Sequence, residues 1–331
     1  MNSLTPSVRE LADLTTPMAI RVAATLGLVE RAGSAGATAD HLAAETEASP
    51  PALRRLLDHL VTVGVFDLDP GTRRYRATEL GAQLGEDAPE GIKPLLDMTC
   101  AGGRAELAFV ELLGTVMTGT PAYVLRYGRD FYSDLDDQPA LRRSFDRQMT
   151  WRFQRQAPQI ARRFDWGRFA DILDVGGGDG TLLEAILDIH PDVRGRVLDL
   201  APTVAAARAR FASAGLGGRA GVVPGSFFEP LPAGADLYLL SDILHNWDDD
   251  RAGAILAGSR RAAGPNGTVV VIEAMLGQGV DSAMDLFMLM CFGGSERTVD
   301  ELTSLAAGCG LVLRWSGPVA EGRTAMEFGV A

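Results

Sequence analysis

The chain has 331 residues, 47% of them hydrophobic, and its 43 acidic against 31 basic side chains leave a formal charge of −12. That is enough apolar material for one large core and a smaller second domain, while the acidic balance excludes sequence-independent attraction to nucleic acid or an anionic membrane, since no basic excess can displace counterions. No apolar run reaches the length of a bilayer span and Met1-Asn2-Ser3-Leu4-Thr5-Pro6 lacks the basic and apolar regions of a signal peptide, so a cytoplasmic protein is expected.

The first predicted helix carries Leu11, Leu14, Met18, Val22 and Leu26 at spacings of three and four. Such a helix has one apolar face, which must be covered by core or by a second subunit. A helix over 38–47 is followed by Ser49-Pro50-Pro51, a polar cap with proline in the first turn, which opens a second helix that Gly64 stops. Segments 65–68 and 75–77, around the turn Asp69-Pro70-Gly71, read as a hairpin. Helix, helix, hairpin is a winged-helix pattern. It raises one non-enzymatic reading, a transcriptional regulator whose Arg54 and Arg55 enter a major groove. The acidity of the chain argues against it, and two arginines on one helix read more simply as a solvated face.

From 92 to 164 the chain reads as mostly helical, with a second apolar region over 107–113, an interruption at Gly119-Thr120-Pro121-Ala122-Tyr123, and a stripe of Leu141, Phe145, Met149 and Phe153 at i, i+4 spacing. Cys100, Cys291 and Cys309 have no paired spacing, so neither a disulfide framework nor a zinc site is expected.

After residue 170 strands and helices alternate. Apolar strands are predicted over 170–175, 196–200, 221–223, 236–240 and 268–272, with helices such as 203–214 and 251–263 between them. This is the pattern of a parallel sheet wrapped by helices, with ligands at the carboxyl ends of its strands. A helix over 299–309 and strands over 311–316 and 324–329 then close the chain with an antiparallel hairpin.

The first of these strands ends in Asp174-Val175-Gly176-Gly177-Gly178-Asp179-Gly180. A strand, a glycine turn and a helix bring bare backbone against a ligand. The spacing is G-x-G-x-G with Thr181 where the dinucleotide fingerprint has a further glycine, and Asp174 puts an anion beside the ligand, which suits a cation. Asp199, at the tip of the second strand, is placed to accept hydrogen bonds from the ribose hydroxyls of an adenosine, a geometry common to S-adenosylmethionine (SAM) and NAD. Next comes Gly225-Ser226-Phe227-Phe228. The fourth strand leads into Ser241-Asp242-Ile243-Leu244-His245-Asn246-Trp247, which places an imidazole at the ligand edge, where it can remove a proton near neutral pH. The acids Asp248, Asp249 and Asp250 read as the charged first turn of the next helix in preference to a Mg²⁺ site. Glu273 ends the fifth strand, and Glu296 stands in Gly293-Gly294-Ser295-Glu296-Arg297-Thr298.

The acid-then-glycine motif resembles that of the class I SAM-dependent methyltransferases. The Leu244-His245-Asn246-Trp247 stretch and the Gly-Gly-x-Glu-Arg-Thr motif narrow the resemblance to the metal-independent small-molecule O-methyltransferases of plants and actinobacteria, and it covers nearly the whole chain. It implies an α/β fold, a Rossmann-like doubly wound sheet with a C-terminal antiparallel hairpin, plus an N-terminal mainly helical winged-helix dimerisation domain. The expected domains are 1–90 for dimerisation, 91–165 as a helical connector contributing to the acceptor pocket, and 166–331 for SAM. The cofactor, with S-adenosylhomocysteine (SAH) as product, is expected on Asp174, Gly176, Gly178, Asp199, Ser226, Phe227 and Ser241, with no metal. Ser226 stands where the family has an Asp. His245 is implied as catalytic base, flanked by Glu273 and Glu296. Met149 is implied near the reacting methyl. Phe287 and Met288 stand in a stretch, 285–292, whose methionines and aromatics suit a flat apolar acceptor, and Asn246, replacing the family's usual Asp, is expected in acceptor binding. A homodimer that methylates a phenolic hydroxyl of a small aromatic, polyketide-type acceptor is expected. Relatives of the same fold and cofactor with hydroxylase- or decarboxylase-type activity are the alternative.

Overall fold

A computed structural model of the chain describes residues 7–89, 91–278 and 282–331; the opening residues 1–6, whose composition was weighed above, lie outside it. The chain divides into two compact units, 1–107 with 135–148, and 108–134 with 149–331. Segment 91–165, expected as one connector, is therefore shared between them, and the boundary falls inside the helix Pro139–Arg163.

In the first unit the single expected opening helix is two, Val8–Leu11 and Thr15–Thr25. Asp13 breaks it, because its carboxylate accepts the N–H of Thr15 at 3.2 Å and of Thr16 at 3.4 Å and so caps a new helix. Leu11, Leu14 and Met18 are exposed. Thr38 caps the helix Ala39–Thr46, and Pro50 and Pro51 open the helix Pro50–Thr62, which buries Leu53, Leu57 and Leu60. The hairpin of β2 (Phe66–Leu68) and β3 (Arg74–Ala77) is present. It is joined by β1 (Ala37–Thr38), two residues too short to leave a sequence signal, in the order β1-β3-β2. Arg54 is engaged by Asp40 at 3.0 Å.

The second unit is built on β4 (Asp171–Val175), β5 (Arg194–Asp199), β6 (Ala220–Pro224), β7 (Leu237–Ser241), β8 (Thr268–Glu273), β9 (Leu311–Ala320) and β10 (Arg323–Val330). Their order is β6-β5-β4-β7-β8-β10-β9, with β4 to β8 parallel and β10 antiparallel to both of its neighbours. The chain leaves β4 toward β5 and β6, then returns to β7 on β4's other side, so a crevice opens at the carboxyl ends of β4 and β7. Successive side chains point to opposite faces, and Ile172 packs into one apolar layer while Leu173 and Val175 pack into the other. β9 runs past the expected end at 316, through Gly317 and Pro318. It is an edge strand, where a proline interrupts no inner ladder. No helix among the described residues is long and apolar enough to cross a membrane.

Candidate active site

The glycine turn follows β4 directly. Gly176 and Gly178 have φ of +76° and +61°, and a Cβ on Gly176 would lie 2.5 Å from Ile243, so only glycine fits the turn. Asp174 is 1% exposed and neither carboxylate oxygen has a hydrogen-bond partner. Burial, and then the nearby charge of Asp199, push its carboxyl up to about 7. Asp199 ends β5, accepting the N–H of Gly178 at 3.0 Å and of Leu200 at 2.7 Å, and so ties the second strand to the glycine turn. Asp179, inside the turn, accepts hydrogen bonds from the hydroxyls of Thr150 and Thr181 and from Arg210. Despite burial, these contacts hold it below the usual carboxylate range. After β6 the Ser226 hydroxyl accepts the N–H of Phe228 at 3.2 Å, and Phe227 lies edge-on to Trp247 at 6.0 Å. Ser241, the buried last residue of β7, completes this edge.

Beyond β7 the backbone turns sharply. Asp242 has φ of +55°, unusual for a residue with a side chain, and leads into the single 3-10 turn Leu244–Asn246. His245 is buried, with Nδ1 3.0 Å from Oε1 of Glu296. Glu273 is also drawn to this turn but does not touch the ring: its Oε1 accepts the backbone N–H of Leu244 at 2.5 Å and of His245 at 3.1 Å. Of the two glutamates expected to flank the histidine, one therefore meets the imidazole and the other anchors the backbone that carries it. Burial works against a charged ring, yet the Glu296 hydrogen bond and the charges of Glu273, Asp242 and Glu296 together raise His245 above its ordinary value. Burial pushes Glu273 up to about 7. Gly294 is required by close approach, because a side chain there would collide with the His245 carbonyl.

Of the residues expected against the acceptor, Met149 is half-buried on the helix Pro139–Arg163, and the helix Ser282–Phe292 carries half-buried Phe287 and buried Met288. Phe287 lies 6.1 Å from Phe292, which meets Phe131 at 5.2 Å, while Tyr132 stacks on Trp247 at 6.0 Å. An aromatic wall thus adjoins the histidine turn. Asn246 donates its side-chain N–H to the Asp242 carbonyl at 3.3 Å.

Residues 109–312 match the O-methyltransferase domain, and residues 10–87 match the O-methyltransferase dimerisation domain. The chain belongs to the O-methyltransferase family. It is 48% identical over 313 residues to the 2,7-dihydroxy-5-methyl-1-naphthoate 7-O-methyltransferase of Streptomyces carzinostaticus, with 94% of each chain covered. It is 42% identical to the aclacinomycin 10-hydroxylase RdmB of Streptomyces purpurascens, over 92% of this chain and 84% of that one. Among solved structures, the O-methyltransferase NcsB1 from neocarzinostatin biosynthesis, in complex with SAM and 2-hydroxy-5-methyl naphthoic acid, superposes with a TM-score of 0.94 at 46% identity, covering 99% of this chain and 100% of that one. The winged module is thus the family's dimerisation domain.

One residue at the histidine turn, Arg297, has no role assigned from sequence. Arg297 is 4% exposed and donates to the carbonyls of Leu244 at 3.1 Å and Trp247 at 2.8 Å, while pairing with Asp249 at 2.8 Å. Glu273 grips the N–H side of the histidine turn and Arg297 its C=O side. The sequence signal for Arg297 is its place in the Gly-Gly-x-Glu-Arg-Thr motif, which assigns it no contact. Asp248 caps the following helix through the N–H of Arg251, as the acidic run implied. Among the described residues no group of three or more His, Cys, Asp or Glu side chains is placed to hold a metal ion.

Proposed function

We propose that this enzyme methylates a phenolic hydroxyl of a small polyketide-type aromatic such as a hydroxynaphthoate, using SAM, with His245 as general base and without a metal. The observation that carries the reading is the buried His245–Glu296 pair at the same sheet edge as the glycine turn and the unpartnered Asp174. SAM, when bound, supplies an electrophilic methyl group on a positive sulfonium. Asp174, Gly176, Gly178, Asp199, Ser226, Phe227 and Ser241 would hold it. The orphaned, buried Asp174 fits a cation, and the side-chain-free turn fits close approach of a ligand to the backbone.

His245 works through its second nitrogen. When Nδ1–H donates to Oε1 of Glu296, the Nε2 lone pair is left to accept the acceptor's hydroxyl proton. The imidazolium formed is stabilised by Glu296, and by the charge of Glu273 and Asp242. Base catalysis of this kind contributes roughly 10² to 10⁴ in rate; the rest comes from holding the acceptor oxygen in line, the task of Met149, Phe287, Met288 and Asn246. The enzyme acts as a homodimer, with exposed Leu11, Leu14 and Met18 in one unit and Val110, Leu113, Val116 and Met117 in the other as apolar surface for a second copy.

Incubation with SAM and a panel of hydroxylated naphthoates, with and without EDTA, tests the chemistry by mass spectrometry. A product heavier by one methylene, insensitive to EDTA, supports it. A product heavier by one oxygen would instead support hydroxylase chemistry. A monomeric mass in light scattering at every dilution would remove the dimer.

A further inference from the structure

Arg152 and Arg323, which have no part in the chemistry above, form a charge cluster with Asp242. Nη2 of Arg152 lies 3.3 Å, and Nη2 of Arg323 3.2 Å, from the same oxygen, Oδ2, of Asp242. Two guanidiniums share one carboxylate oxygen, so each is only partly engaged by it. The other oxygen, Oδ1, is buried with no hydrogen-bond partner, so neither guanidinium spans the carboxylate in the paired geometry that arginine favours. The two arginines also differ. Arg323 is buried and donates its other arm to the Gly322 carbonyl, whereas the Arg152 side chain is 25% exposed and makes no other polar contact among the described residues. Most of its five N–H donors are therefore unused.

The cluster sits beside the base. Asp242 directly follows β7 and stands three residues before His245, and its charge is among those that bear on the imidazole. Arg152 lies three residues beyond Met149 on the same helix, a spacing that puts both on one helical face. A partly exposed guanidinium with unused donors, next to a site for a flat aromatic, is met by an anion brought in with the ligand.

We propose that Arg152, backed by Arg323 through Asp242, binds a carboxylate carried by the acceptor, which makes the substrate class hydroxylated aromatic acids. The inference rests on the methyltransferase reading and adds to it a reason why one hydroxyl is chosen. The planar fork meets a carboxylate through two parallel N–H···O bonds, which fixes both the position and the rotation of the ring. Asp242 keeps the two guanidiniums from repelling one another while the acid is absent. The same fork could meet the carboxylate of the cofactor's amino-acid end, and the experiment separates the two.

Calorimetry on the full-length protein measures the affinities of 2-hydroxy-1-naphthoic acid, its methyl ester and SAH for wild type, Arg152→Met and Arg152→Lys. The wild type is expected to prefer the acid to the ester. Arg152→Met should weaken the acid roughly ten- to a hundredfold while leaving the ester and SAH within about twofold, and Arg152→Lys should restore part of the loss. Retained SAH binding shows that the variants are folded. No preference for the acid in wild type, equal loss of acid and ester, or loss of SAH with acid binding intact would each overturn the proposal, the last by giving the fork to the cofactor. Arg152-dependent binding of the acid without any methylated product would instead sink the methyltransferase reading and leave the carboxylate site standing. Methylation of acid and ester at equal rates in all three proteins would do the reverse.

Discussion

Asp174 beside the glycine turn and Glu273 under the histidine turn look alike at first sight. Both are acids near the carboxyl ends of strands of one sheet, both are at most 1% exposed, and burial first of all pushes both up to about 7. Their surroundings are opposite. Asp174 has no hydrogen-bond partner on either oxygen, while Glu273 accepts two backbone N–H groups that shape the turn carrying His245. A buried acid without partners is poised for a ligand's positive charge. One that holds backbone is part of the scaffold, and the same pKa cannot tell them apart. Only the hydrogen-bond inventory does.

The largest expected effect comes from separating the two regions altogether. His245→Ala should lower turnover by roughly 10² to 10⁴ while SAH affinity, measured by calorimetry, stays unchanged, because the ring acts on the acceptor's proton. A phenol ionises near pH 10, so the variant's activity should recover toward alkaline pH as hydroxide replaces the lost base. In wild type the ring must be neutral to accept a proton. Since its pKa is raised, the rate should climb with pH through an apparent pKa above 6.5. If SAH affinity falls together with turnover, the two regions are coupled and the comparison fails.

The next effect sharpens the contrast between the two acids. Asp174→Asn should weaken SAM by roughly 1.5–3 kcal/mol, about ten- to a hundredfold, because it removes the anion but keeps the shape. Glu273→Gln should leave SAM affinity nearly intact and reduce turnover less than His245→Ala, since an amide oxygen can still accept the two N–H groups.

Stability should move in the other direction. Ordinary values are 3.8 for Asp174 and 4.5 for Glu273, and both rise to about 7 on folding. Between those limits the folded chain binds more protons than the unfolded one, so stability falls as pH rises from about 4 through 7, by roughly 3–4 kcal/mol per group over the whole window. His245, raised as well, acts with the same sign. Asp179, held low, is already ionised at pH 5 and drops out of this window. The melting temperature without cofactor should therefore decline from pH 5 to pH 8. Asp174→Asn should flatten part of that decline, saturating SAH should flatten the same part, and Glu273→Gln should flatten the remainder. A melting temperature that rises over this range would contradict the burial argument for both acids.

Much of this is legible in the amino-acid sequence itself. Strands β4, β5, β7 and β8 announce themselves as short apolar runs between helical periods, and the glycine turn is visible because only glycine meets its backbone demands. What stayed illegible depends on groups that carry no residue identity. Glu273 binds backbone N–H groups and Arg297 binds carbonyls, and every residue supplies those. The αL conformation of Asp242 has no marker, since nothing in Ser241-Asp242-Ile243 excludes an extended continuation. The break at Asp13 was hidden for a related reason, because the apolar spacing of Leu11, Leu14 and Met18 continues across it while the cap works through main-chain donors. His245 and Glu296 are 51 residues apart. Only the resemblance, and not the local pattern, joined them.

The smallest effect concerns Asn246. Its side-chain N–H donates to the Asp242 carbonyl across the histidine turn at 3.3 Å, a bond an ionised aspartate cannot make because it offers only acceptors. Asn246→Asp would set a carboxylate against a carbonyl and add negative charge to a turn already surrounded by Asp242, Glu273 and Glu296. The bond is long and the site half-buried, so the expected loss is about 1 kcal/mol, a fall of roughly 2–4 °C in melting temperature. The new charge would also favour the imidazolium, which moves the pH–rate profile to higher pH and lowers the rate most on its acid side. Turnover at pH 9 should change little. An unchanged profile with an unchanged melting temperature would mean that the Asn246 amide supports neither the turn nor the base, and that its place is against the acceptor alone.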